Sequence, residues 1–159
     1  MATLLGFRTG LALMSDQTSF DRVADAIARE DGLDRETAGK ALDQAIIFIH
    51  AAGQHYRLGL VPSKTVDIAW DRLVLYSHIY ADLCQRLAGR FIHHTPLDAP
   101  VRLPEGHRIL TVAETFELLR QDGYWVKEEV WDLTSPPEAK ANCTVCYTGD
   151  HDSGEVDDT

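Results

Sequence analysis

Apolar residues recur at helical spacing along most of the chain. Phe20, Val23, Ala24 and Ile27 predict a short amphipathic helix from Ser19 to about Glu30, and Asp31 with Gly32 ends it. A second helix is predicted from Asp34, a good N-cap, to about Leu58. It carries Ala38, Ala41, Leu42, Ala45, Ile46, Ile49 and Ala52 on one stripe. Gly59 stops it and Pro62 follows. Its run "AIIFI" is apolar on every side, so the helix should be covered by more than one neighbour.

The third pattern is the strongest. Val66, Trp70, Leu73, Ser77, Tyr80, Cys84 and Leu87 alternate steps of four and three, which predicts one helix from about Ser63 to Leu87. Gly89 terminates it and "RFIHHTP" leads away, with Pro96 favouring extended backbone before it. Residues 97–109 hold prolines and a glycine and read as an irregular connection. In "LTVAETFELL", Thr111 and Glu114 match a capping box, while Val112, Phe116 and Leu119 form an apolar face that Gly123 closes. "YWVKEEVWDL" then offers Trp125, Val126, Val130 and Trp131 to the core through a short helix or turn.

From Ser135 onward hydrophobic period is lost, and the end of the chain is acidic without Lys or Arg, which predicts a disordered or irregular tail. The fold class expected is therefore all-α, a compact bundle of four to five helices, with up-and-down connectivity as the default. The predicted layout is a flexible N-terminal extension over 1–15, a helical domain over 16–134 and a Cys-containing acidic tail over 135–159.

Composition narrows the function. The chain has 159 residues, 45% of them hydrophobic, enough for one domain with a real core. A formal charge of -10 repels phosphate backbones, so nucleic acid is not an expected partner, even though helix, glycine turn and short helix loosely imitate a helix-turn-helix. The apolar opening is interrupted by Arg8 and falls short of the ~20 residues that span a bilayer, so no membrane association is expected. Cys84, Cys143 and Cys146 imply no disulfide framework, and a reduced, cytoplasmic setting is expected. A protein partner is expected; oligomeric state is left open.

Val66, Asp67, Trp70, Tyr80, Cys84, Gly89, Ile92, His93, His94 and Pro96 occur in an order that resembles the bacterial relatives of the glycine-rich domain-containing protein-like family, an uncharacterised group. The later "FELLRQDGYWV" resembles it more weakly. The resemblance covers about a third of the chain and implies no activity. Where relatives carry histidine after the Trp, this chain has Asp71, so any role of that histidine passes here to a carboxylate or is lost.

Helical spacing sets Asp67 and Asp71 one turn apart, and His78, eleven residues after Asp67, returns to nearly the same face. If the exit folds back, His93 or His94 can meet these carboxylates. That contact makes either a structural latch or a His/carboxylate site for a divalent metal such as zinc. Neighbouring residues of an extended exit point to opposite sides, so only one histidine should face inward. His50 and His55, five apart, make a poor ligand pair on one face and are read as packed or solvated.

In the tail, "CTVC" places Cys143 and Cys146 at a spacing that suits zinc thiolates or a redox pair, with His151 as a further ligand beside Asp150 or Asp152. The competing reading is two incidental thiols. The acidic end lacks the spaced oxygen ligands of a calcium loop. Trp70, Trp125 and Trp131 are read as core residues. Three functional readings follow: a non-enzymatic helical binding or accessory protein, able to bind a metal such as zinc; a metal-dependent enzyme with a His/Asp site; and a carrier whose tail is modified by a partner enzyme. The first is favoured.

Overall fold

The helices begin where capping side chains stand. Thr9 accepts from the Ala12 amide, Asp16 from Ser19, Asp34 from Thr37 and Ser63 from Val66, each satisfying an amide that the first helical turn leaves open. Thr111 and Glu114 close a reciprocal capping box. The computed structural model describes residues 8–96, 104–134 and 144–147, without the side chains of residues 95, 96 and 144–147. Its helices are α1 (Gly10–Met14), α2 (Gln17–Asp31), α3 (Arg35–Gln54), α4 (Lys64–Leu75), α5 (Ser77–Ala88) and α6 (Val112–Gln121), followed by a 3-10 turn at Glu128–Val130. The all-α class is as the hydrophobic pattern predicts. Among the described residues no helix is long and apolar enough to cross a membrane.

α3 is the central element. Ala41 through Ile49 are all buried, and α1, α2, α4 and α5 pack around the helix. Ile46, Ile47, Phe48 and Ile49 are each fully buried, contributing about 1.5–3 kcal/mol apiece by removal of apolar surface from water. Gly10 lets α1 approach closely, since a Cβ there would stand 2.0 Å from the Asp43 carbonyl oxygen. Residues 10–14, placed by the sequence reading in a flexible extension, are thus a helix with Gly10 and Met14 buried against α3.

Two polar residues interrupt the buried run of α3. Asp43 accepts from the Leu11 amide at 2.9 Å and lies 3.3 Å from the Lys127 ammonium. Gln44 donates to the Trp125 carbonyl and accepts from the Lys127 amide and from Trp131 Nε1. Both side chains are satisfied, and they join α1, α3 and the segment after α6.

Among the described residues, four short strands complete the connections. β1 (Leu58–Gly59) pairs in parallel with β3 (Arg108–Ile109), where the sequence predicts a helix end and an irregular connection. β2 (His93–Pro96) pairs antiparallel with β4 (Thr144–Tyr147), setting His94 opposite Cys146 and His93 opposite Tyr147. Of the tail predicted to be irregular, only β4 falls within the described residues.

The single helix predicted from Ser63 to Leu87 is broken. Tyr76 (φ -86, ψ 65) caps α4 and hands over to α5. The apolar stripe runs across the break because both halves pack on α3, and the stripe reports which face is buried, not the direction of the axis. Ser77, a weak helix-interior residue, is the local concession. This break and α1 bring the described α-helices to six.

Candidate functional site

α4 carries two carboxylates toward the chain that leaves α5. Ser63, its N-cap, also donates to the Val130 carbonyl at 2.6 Å, which fixes the helix start in the core. Asp67 lies in the first turn, where a negative charge is favoured by the helix dipole, and Asp71 follows one turn later. Gly89 (φ 72) takes the left-handed turn that ends α5 and reverses the chain. Ile92 is then fully buried, and β2 begins at His93.

His94 Nε2 lies 3.1 Å from Asp67 Oδ1 and 2.8 Å from Asp71 Oδ1. Ligand atoms of all three residues lie within 4.8 Å of one another. The imidazole meets the Trp70 indole at 4.2 Å between ring centres and 64° between planes, so its other flank is apolar. His94 and Asp67 are mostly enclosed, while the Asp71 side chain is 62% exposed and forms the rim. Partial burial raises the Asp71 carboxyl above its ordinary value; His94 and Arg72 oppose the shift, and Asp67 and Asp31 add to it. Arg72 itself is engaged by both oxygens of Asp31, at 2.9 and 2.8 Å.

One imidazole nitrogen facing two carboxylates has a consequence. A single N–H satisfies one oxygen well, here that of Asp67, and leaves Asp71 close by without that bond, whereas a divalent cation among the three would satisfy every ligand atom. The arrangement can therefore act as a hydrogen-bonded latch or as a metal centre with one nitrogen and two oxygen donors.

The remaining sequence candidates fall elsewhere. His93 is exposed, with its ring edge against Phe91 at 5.1 Å. His78 is exposed on α5, and the eleven-residue return to the Asp67 face fails because the helix breaks between them. Cys143 and His151 lie outside the described residues. Cys146 is described only as a backbone position on β4. Cys84 is buried; burial raises its thiol pKa, while hydrogen bonds with the Ile92 backbone and Tyr80 oppose that shift.

A second polar cluster went unread in the sequence. His50 Nδ1 pairs with the Tyr124 hydroxyl, and His55 Nε2 lies 2.6 Å from Asp122 Oδ2. Arg8 joins them, donating to the Asp122 carbonyl at 2.9 Å with its guanidinium 4.4 Å from the Tyr124 ring centre. Burial and Arg8 lower the His50 pKa, and burial pushes the Tyr124 phenol up to about 12. The two histidines do not share a ligand, in keeping with their spacing, but each holds a different residue of one turn. Only the polar character of Asp43 and Gln44, inside an otherwise apolar run, signals that this side of α3 is built around polar contacts.

The UCP032817-like family matches residues 14–107, more than half of the chain, and the chain belongs to that family. The match spans α2 to α5 and includes Asp67, Asp71 and His94. Neither a curated protein nor a solved structure matches.

Proposed function

We propose that this protein is a helical binding or accessory protein whose Asp67–Asp71–His94 centre takes one divalent transition-metal ion of the zinc class. The observation that carries the reading is the convergence of three ligand atoms on one point between α4 and β2. An imidazole with two carboxylates suits zinc or another borderline divalent ion better than a soft one, and the exposed Asp71 side leaves room for water to complete the shell. The ion would tie the exit of α5 to the start of α4 and so stiffen the surface offered to a protein partner. A cytoplasmic setting agrees with the buried free thiol of Cys84. The ordered residues from Val66 to Pro96 further support kinship with the glycine-rich domain-containing protein-like relatives.

Elemental analysis of protein purified without an affinity tag tests this reading. About one zinc-class ion per chain is expected in the wild type and none in His94→Ala or Asp67→Asn. Metal-free wild type that also gains no thermal stability from added zinc would overturn it. The exposed rim favours a second reading, a metal-dependent enzyme in which Asp67 and His94 would hold the ion and Asp71, on the rim, would act as general base toward water. Hydrolysis of activated esters by the zinc-loaded protein, lost in Asp71→Asn while the metal stays bound, would favour that reading.

A further inference from the structure

The break at Tyr76 has a geometric product. In one continuous helix, Trp70 and Tyr80 would stand about 15 Å apart along the axis, at 1.5 Å per residue. Instead the Trp70 indole Nε1 lies 3.0 Å from the Tyr80 hydroxyl oxygen. That same hydroxyl donates to the Ile92 carbonyl, two residues before His94. One oxygen therefore joins α4, which carries both carboxylates, to α5 and to the exit segment that carries the imidazole. Trp70, Tyr80 and Ile92 are at most 1% exposed, so no water competes for these bonds.

We propose that Tyr80 is the positioning residue of the Asp67–Asp71–His94 centre, setting the height of β2 against α4 so that His94 Nε2 meets both carboxylates. The inference rests on the metal-binding reading of that centre. Removing the hydroxyl leaves a buried indole N–H and a buried carbonyl without their shared partner. His94 stands two residues after Ile92 on the same segment, so a shift of that carbonyl is passed on to the imidazole. Groups that orient a metal ligand in this way change affinity without touching the ion.

The test compares Tyr80→Phe, which keeps the ring and its packing on Phe91, with Leu119→Ala, a core truncation on α6, in the full chain. Zinc affinity is measured by competition and ligand geometry by the visible absorption of bound cobalt. Tyr80→Phe is expected to weaken zinc binding about 10–100-fold and to change the cobalt spectrum. Leu119→Ala is expected to lower thermal stability while keeping wild-type affinity and spectrum. Wild-type affinity and spectrum in Tyr80→Phe would overturn the inference, as would equal weakening in both variants. Should Tyr80→Phe fail to fold, Trp70→Phe removes the donor to the same oxygen, and wild-type metal affinity there would count equally against the proposal. A wild type that binds neither zinc nor cobalt overturns the metal reading and this inference together; a metal-binding wild type with an unaffected Tyr80→Phe overturns the positioning role alone.

Discussion

Two histidine clusters sit on this helical frame, and they are built on opposite plans. Toward the end of α3, His50 and the C-cap His55 each meet one partner, Tyr124 and Asp122, and Arg8 brings a positive charge to the same turn. Between α4 and β2, one imidazole meets two carboxylates. The first cluster gives each histidine one partner and already carries a cation in Arg8. The second gathers negative charge around a single nitrogen. The same residue types thus make a clasp in one place and a candidate ligand set in the other, and the difference lies in how the partners are counted.

The largest effect should separate the two by metal affinity. His94→Ala is expected to weaken zinc binding by more than about 100-fold, since it deletes one of three protein ligands, while His55→Ala leaves it unchanged. Isothermal titration of both variants checks this, and equal affinities would erase the contrast.

The segment that follows the clasp turn, held to α3 by Gln44, should show itself in stability instead. Gln44→Leu leaves Trp131 Nε1–H, the Lys127 amide and the Trp125 carbonyl without their partner and should cost about 3 kcal/mol in urea unfolding. It should also raise hydrogen exchange in the turn at Asp122–Trp125 while sparing β2. Exchange that rises first in β2 would place the weakness in the wrong cluster.

Acid should act on the clasp through His50. Its pKa is lowered in the folded state, so the unfolded chain binds the proton more readily, and stability rises with pH across the window between the two values. The contribution is complete above the ordinary histidine value of about 6.5 and is lost as pH falls through the lowered folded value. His50→Gln should flatten that part of the profile in denaturant melts from pH 7.5 to 5. A profile as steep as wild type would assign the acid sensitivity elsewhere.

The smallest effect concerns the phenol. With its pKa pushed up to about 12, Tyr124 should ionise later in an alkaline absorbance titration than a free tyrosine of about 10. Tyr124→Phe should cost only about 1 kcal/mol, since it removes one hydrogen bond and keeps the ring.

Local signals carried much of this into the sequence. The caps at Asp34, Ser63 and Thr111 and the capping box with Glu114 are visible as residue types at fixed offsets. Asp67 and Asp71 are visible as a pair one turn apart, and the alternation of an extended exit allows only one histidine of the pair to face them. Which one faces inward depends on the length of the turn after Gly89, which the pattern leaves open. The break at Tyr76 is illegible because it preserves the phase of the apolar stripe, and His78 was misplaced for that reason. The partners of His50 and His55 lie more than sixty residues away in sequence, beyond the reach of any periodicity.

The central claim is that His94, Asp67 and Asp71 hold one ion. Crystals of the wild-type protein equilibrated with zinc, with diffraction recorded on both sides of the zinc absorption edge, test it most directly. The account predicts one anomalous peak among these three side chains, about 2.0–2.2 Å from His94 Nε2 and from an oxygen of each carboxylate. An anomalous map without density there, with His94 still hydrogen-bonded to Asp67 and beside Asp71, would contradict it and leave the cluster a latch.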